Sequence, residues 1–171
     1  MAFVQRCKEW LMKIGVVSDT HSKEMPGQML KDFKAVDLII HTGDFCDIED
    51  YQVLSKIKEV KGVYGNMDTV AIRQLFPRRQ IIKCGAFNIG LFHGEGPPRT
   101  ILESVKGEFK KDKVDMVIFG HSHQPLNEED GGVLYFNPGS PTDTIFAPYC
   151  SYGLIEINDK SFSAEHLKVK A

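Results

Sequence analysis

Lys13-Ile14-Gly15-Val16-Val17-Ser18-Asp19-Thr20-His21 is a short apolar run that ends in a carboxylate and an imidazole two residues apart. Its β-branched, low-polarity content predicts a strand buried on both faces. Open α/β sheets carry their chemistry at the carboxyl ends of such strands, and Asp19 and His21 stand at that end. Both side chains are ligand types for a divalent transition metal. Alone the pair decides little; its meaning depends on whether the chain brings more donors to the same edge.

The unit recurs. Val36–Ile40 is a second apolar strand, followed by His41-Thr42-Gly43-Asp44, and Val60–Tyr64 is a third, followed by Gly65-Asn66-Met67-Asp68. Between them, Met29, Leu30, Phe33 and Val36, then Val53, Leu54 and Ile57, recur at helical spacing. Strands separated by helices predict a parallel α/β sheet. Beyond Pro77, Gln80–Lys83 and Phe87–Phe92 flank Cys84-Gly85-Ala86 as a hairpin, and the second arm ends in His93-Gly94-Glu95. A helix is expected from Arg99 to Lys111, then a buried strand, Val114–Phe119, tipped by Gly120-His121-Ser122-His123. Strand-like runs at Val133–Phe136, Tyr152–Ile157 and Phe162–Val169 close the chain. The expectation is one domain over residues 12–171, with a second, mixed sheet packed on the first.

Composition narrows the function. At 171 residues the chain suits one domain with a sizeable core. A net charge of -2 gives no basic footprint, which argues against membrane-surface or extended nucleic-acid binding. No apolar stretch reaches the roughly 20 residues of a membrane span. Residues 1–11 read as a short N-terminal extension without signal-peptide character, and Met12 is an alternative start. Cys7, Cys46, Cys84 and Cys150 form no CxxC pair, so reduced, mostly buried thiols and a cytoplasmic location are expected.

Five strand tips thus carry donors: Asp19/His21, Asp44, Asn66/Asp68, His93 and His121/His123. A two-metal hydrolase needs such a set. A carboxylate must bridge two mutually repelling cations, and neutral imidazoles complete the shells without over-neutralising them. Asp19 and Asp44 with two divalent cations and a bridging hydroxide leave a charge of about +1, matched to a phosphodiester monoanion. Mixed carboxylate and imidazole ligation favours Mn, Fe, Zn, Ni or Co over Ca or Mg.

The ordered set D-x-H (Asp19, His21), GD (Gly43-Asp44), GN (Gly65-Asn66), His93 and GHSH (Gly120–His123) resembles the calcineurin-like metallophosphoesterase superfamily. Gly65-Asn66-Met67-Asp68, Asn137-Pro138-Gly139-Ser140 and the small size resemble its compact YfcE-like phosphodiesterase branch. The resemblance spans about residues 12–157 and implies a four-layer αββα sandwich of two mixed sheets flanked by helices. It implies one metal held by Asp19, His21, Asp44 and His123, and a second held by Asp44, Asn66, His93 and His121, manganese being the first expectation. Asp44, Asn66 and His93 would carry the chemistry on a small phosphorylated substrate, and a homo-oligomer stays open. Two departures stand out. Met67 replaces a histidine that in many members assists the leaving group, and Glu95 replaces the second histidine of an HGH motif. Glu95 would repel phosphomonoester dianions more than diesters.

Taken singly, these residues have plainer uses. Asp19 and Asp44 suit turn or helix caps, and Asn66 suits a turn. His41 fits a hydrogen-bonded core or a position behind a ligand, as do Asp68 and Asn137. His166 reads as an exposed strand residue, and Arg78, Arg79 and Arg99 as surface charges. Two other functions compete: a scaffold or regulatory protein with an idle site, as in the retromer subunit that shares this fold, and a nucleotidase or phosphomonoesterase of the same superfamily.

Overall fold

The computed structural model describes residues 11–170. The first half alternates strand and helix: β1 (Leu11–Val17), α1 (Gly27–Phe33), β2 (Leu38–His41), α2 (Ile48–Ser55), β3 (Val60–Gly62) and α3 (Val70–Leu75). The second half opens with the hairpin β4 (Arg79–Cys84) and β5 (Phe87–Phe92). A 3-10 turn at Pro98–Thr100 then leads into α4 (Ile101–Glu108), followed by β6 (Met116–Ile118), β7 (Leu126–Asp130), β8 (Val133–Asn137), β9 (Ser151–Asn158) and β10 (Phe162–Lys168). Most of the expected extension, residues 1–10, lies outside the described residues. Leu11 does not belong to an extension, because it opens β1 opposite Asn158.

Two five-stranded mixed sheets result, ordered β10-β9-β1-β2-β3 and β4-β5-β6-β8-β7. β1, β2 and β3 run parallel, as do β5, β6 and β8, while β9 returns antiparallel beside β1 and β10 pairs antiparallel with β9 at the edge. The strand period of two divides the apolar residues between layers. Ile14, Val16, Leu38 and Ile40 point into the space between the sheets, where they meet Ile89, Leu91, Met116, Ile118 and Phe136. The intervening Val17 and Ile39 face outward, under Met29 and Phe33 of α1 and Leu54 of α2. On the far side, Phe92, Val117 and Tyr135 carry Ile101 and Val105 of α4. Helix, sheet, sheet, helix is therefore the layer order, the metallophosphoesterase fold expected from the sequence. Gly15 fits this plan because a β-carbon there would stand 2.6 Å from the Phe33 ring.

Three elements depart from expectation. α4 is shorter than Arg99–Lys111, because Pro97 and Pro98 start it as a 3-10 turn. α3 was not foreseen: Val70 and Leu75 are exposed, so its apolar signal reduces to Ile72 with Phe45 and Phe76. β7 was also unforeseen, being an acidic edge strand, Leu-Asn-Glu-Glu-Asp, without apolar alternation.

Candidate metal centre

The carboxyl ends of β1, β2 and β3 from one sheet and of β5 and β6 from the other converge on one edge, so the five donor-bearing tips meet. Main-chain bonds continue the ladders past the strands: Asp19 N donates to Gly43 O, His21 N to Asp44 O and Ser22 N to Phe45 O, each at 3.0 Å. The second sheet joins through Gly120. A β-carbon there would lie 1.9 Å from Ser18 Oγ and 2.7 Å from Asp19 Oδ2, and the next residue's amide, His121 N, donates to Asp19 Oδ2 at 3.0 Å. Among the described residues, the non-glycine residues with left-handed backbones are Asp19, His21, Ser22, Asp44, Cys46, His121 and His123, all at this edge. Such a backbone is costly for a side-chain-bearing residue and persists only where its surroundings over-determine it. Here it turns the donors inward.

Two clusters form around one carboxylate. Asp44 Oδ1 accepts Met67 N–H at 2.8 Å, and Asp44 Oδ2 lies 3.9 Å from His21 Nε2 and 3.4 Å from His93 Nε2. On one side, His21 Nε2 and His123 Nε2 stand 3.1 Å apart, with Asp19 Oδ1 at 3.9 Å and 3.3 Å from them. On the other, Asn66 Oδ1 lies 3.2 Å from His93 Nε2 and 2.9 Å from His121 Nδ1.

The ring nitrogens opposite these atoms are occupied elsewhere. His93 Nδ1 donates to Thr42 O at 2.8 Å, His121 Nε2 to Gly96 O at 2.9 Å and His123 Nδ1 to Asp143 Oδ2, while His21 Nδ1 contacts Cys46 Sγ at 3.2 Å. With the outward nitrogen engaged, the inward one is the lone-pair or protonated position, the arrangement that fixes ring and tautomer in a metal site. Asp19 Oδ1 is fully buried, and although His123 is within ion-pair distance it has no aligned hydrogen bond. A buried carboxylate oxygen left in that state is expensive unless a cation meets it. This donor set fits divalent metal, and Asp19, His21 and His123, or Asp19, Asp44 and His93, each place ligand atoms within 4.8 Å of one another.

The electrostatics agree with the geometry. Burial depresses the His93 and His123 imidazoles, but contacts with Asp44 and Asp19 respectively outweigh it and bring both up to about 9. Burial likewise pushes the Asp19 carboxyl up, and contact with His123 and the charge of His93 bring it down to about 2. Without metal, therefore, protons on His93 and His123 balance the two carboxylates.

The remaining expected residues sit behind this layer. His41 Nδ1 accepts Gly43 N–H at 3.1 Å, Nε2 meets Thr20 Oγ1 at 3.1 Å, and the ring stacks on Phe45. Burial holds its pKa at about 3, so it is neutral. Asn137 Nδ2 donates to Gly120 O at 3.0 Å and Ser122 Oγ at 3.1 Å, supporting the His121–His123 loop. His166 is not simply exposed: Nε2 donates to Asn137 O at 2.7 Å and the ring stacks on Phe136. Glu95 does border the cleft beside Asn66 and His93, but Arg78 pairs with it at 2.8 Å. Arg78 also pairs with Glu108 at 3.1 Å, so Glu95 shares one guanidinium and is not the lone charge that would favour diesters. Of the three described cysteines, all free, only Cys84 is fully buried.

Asp68 is a hub. One oxygen accepts Asp44 N–H at 3.0 Å and Gly65 N–H at 2.7 Å, and the other accepts Cys46 N–H at 2.7 Å. Asp68→Ala strands three backbone donors at about 1 kcal/mol or more each, so urea denaturation should show a loss of about 3 kcal/mol. A loss below about 1 kcal/mol would mean that water replaces the carboxylate without penalty.

Sequence reading missed Asp143, which holds His123 Nδ1 through Oδ2 and accepts Ile145 and Phe146 N–H through Oδ1. It also missed Thr142 and gave no role to Ser140 of the Asn137–Ser140 motif; their hydroxyls donate to Thr20 O at 3.0 Å and Asp19 O at 2.8 Å. Their only sequence signal is a polar stretch following a Pro-Gly turn.

Residues 12–160 match the calcineurin-like phosphoesterase superfamily domain, and the chain belongs to that family. It is 38% identical over 136 residues to a "Probable metallophosphoesterase" of Methanocaldococcus jannaschii, covering 77% of this chain and 69% of that one. A second protein of that organism, named as a phosphodiesterase, is 29% identical over 145 residues, with 75% and 83% covered. Among solved structures, zinc-complexed Vps29 of Entamoeba histolytica is similar with a TM-score of 0.72 at 29% identity, covering 93% of this chain and all of that one. Among the described residues, no helix is long and apolar enough to cross a membrane.

Proposed function

We propose that this chain is a dinuclear metal-dependent phosphodiesterase. One observation carries the reading: seven donors form two quartets that share Asp44 Oδ2, with the outward nitrogen of each imidazole engaged by another group. Asp19, His21, Asp44 and His123 would hold one metal, and Asp44, Asn66, His93 and His121 the other. When bound, the two divalent cations (Mn first, with Fe, Zn, Ni or Co also suited) supply Lewis acidity and acidify a water towards neutral pH. The chain's own part is positioning. Met67 N–H turns Asp44 so that one oxygen serves both quartets, and Thr42, Gly96 and Asp143 fix three imidazoles. The Asn66 amide NH2 would donate to a phosphoryl oxygen as charge develops there. The name of the Methanocaldococcus phosphodiesterase supports the diester assignment.

Protonation of the leaving group is the weak step. Met67 is exposed but carries no proton to give, and both Asp68 oxygens accept backbone N–H groups. Manganese-loaded protein should therefore cleave bis(4-nitrophenyl) phosphate and show log kcat falling steeply with leaving-group pKa across substituted aryl diesters. Alkyl alcohols should leave roughly 10²–10⁴-fold more slowly than an acid-assisted enzyme would allow. A flat series would reveal a general acid.

The likeness to Vps29 favours a second reading, a scaffold that binds metal without turning over. Stoichiometric metal with no hydrolysis of any aryl mono- or diester would select it.

A further inference from the structure

On the His121–His123 side of the metal centre, the chain exposes two consecutive large apolar residues, Ile145 at 77% and Phe146 at 76%. Single exposed apolar residues are ordinary. These two stand on a fixed backbone: Ile145 N and Phe146 N donate to Asp143 Oδ1 at 2.8 and 3.0 Å, and Gln124 Nε2 donates to Phe146 O at 2.9 Å. The anchor, Asp143, is itself buried and holds His123 through its other oxygen. One carboxylate thus sets both an inward-turned imidazole and the lip that carries an aromatic ring. Phe146 shares with Pro98, His121, Ser122, His123 and Gln124 a solvent-open cleft of about 360 Å³, at the lower end of the size of a small-ligand site.

We propose that the Ile145–Phe146 lip is a specificity subsite for an aromatic ester group of the substrate, an aryl or nucleobase ring carried next to the phosphate. The proposal rests on the phosphodiesterase reading. The lining of the cleft argues for substrate over a protein partner: two imidazoles of the metal centre share it with Phe146, so one molecule can meet the ring and the donor set together. A partner filling the cleft would instead cover a donor set that the fold keeps complete. A flat ring meets Phe146 by offset stacking or edge contact, with the exposed Ile145 next to it in the chain.

The test varies the retained ester group while 4-nitrophenolate always leaves, comparing methyl, phenyl and thymidine-5′-yl 4-nitrophenyl phosphates on metal-loaded protein. Wild type should prefer phenyl and thymidinyl over methyl by roughly tenfold in kcat/KM, mostly through KM, the size of one stacking contact. In Phe146→Ala, and less so in Ile145→Ser, that ratio should fall towards one; both sites are exposed, and thermal melts check folding. In zinc-loaded protein the Ile145 methyl resonances should shift with diphenyl phosphate and not with dimethyl phosphate. Hydrolysis with an unchanged ratio in both variants overturns the subsite and leaves the phosphodiesterase reading standing. So does weakened self-association in Phe146→Ala with that unchanged ratio, which assigns the lip to a second copy. No hydrolysis of any ester overturns the phosphodiesterase reading, and the Ile145 shift then decides the lip separately: a shift keeps an aromatic phosphate site, and none removes it.

Discussion

Asp44→Asn should lower hydrolysis of bis(4-nitrophenyl) phosphate by about 10³-fold or more and cut bound metal from two equivalents towards one or none. The substitution preserves shape, and an amide oxygen can still accept Met67 N–H at the place where Asp44 Oδ1 now does. What disappears is the negative charge on the oxygen between His21 Nε2 and His93 Nε2. Two divalent cations a few ångströms apart repel strongly in a poorly hydrated site, and a neutral, monodentate amide does not offset that repulsion. Asp44 also raises the His93 pKa, opposing burial, so the variant's metal-free His93 should lose its proton at lower pH. Metal analysis, kcat and an NMR titration of His93 read three consequences of one atom. Turnover within about tenfold of wild type, with two metals retained, would remove Asp44 from the bridging role.

The convergence of the donor-bearing tips was legible because its signal is local and repeated. An apolar strand followed within three residues by Asp, Asn or His is visible at residues 14–21, 36–44, 60–68, 87–93 and 114–123, and the order of the tips matches a family pattern. The core followed from the same runs, since a strand buried on both faces needs apolar residues at every position, as Ile14–Val17 and Leu38–Ile40 show. Less legible were features set by contact between distant segments. Asp143 is an ordinary turn aspartate until folding places it against His123, twenty residues back. Glu95 reads as a free charge until Arg78, from before the hairpin, pairs with it. The left-handed backbones of Asp19, His21, Asp44, His121 and His123 occupy a region that Asp and His enter more readily than most residues, but nothing local demands it at these positions; tertiary hydrogen bonds hold them. β7 was hidden for another reason, because an edge strand with one solvent face has no apolar alternation to detect.

Metal dependence of stability should itself depend on pH, and the sign follows from the imidazoles. In the metal-free fold His93 and His123 keep their protons up to about 9, whereas an unfolded histidine releases its proton near 6.5. The stability these protonated rings contribute, on the order of a few kcal/mol, is complete below pH 6.5 and is lost as pH rises through about 9. Asp19 and Asp143 act at the other end. Both are held down at about 2, so their contribution is present above the unfolded value near 3.8 and is lost as pH falls through about 2. Buried His41, held at about 3, works against folding as pH falls below 6.5, so metal-free protein should be most stable near pH 6.5 and weaken steadily towards pH 9. Divalent cations replace the two protons, because a ligating imidazole nitrogen must be unprotonated. Binding at pH 7 should release about two protons, read as the buffer dependence of the calorimetric enthalpy, and affinity should rise with pH up to about 9. The difference in Tm between zinc-loaded and chelator-treated protein should then be several degrees larger at pH 8.5 than at pH 6. An equal difference at the two pH values, with no proton release, would show that His93 and His123 are unprotonated in the metal-free fold, so that the Asp19 and Asp44 carboxylates are balanced by other means.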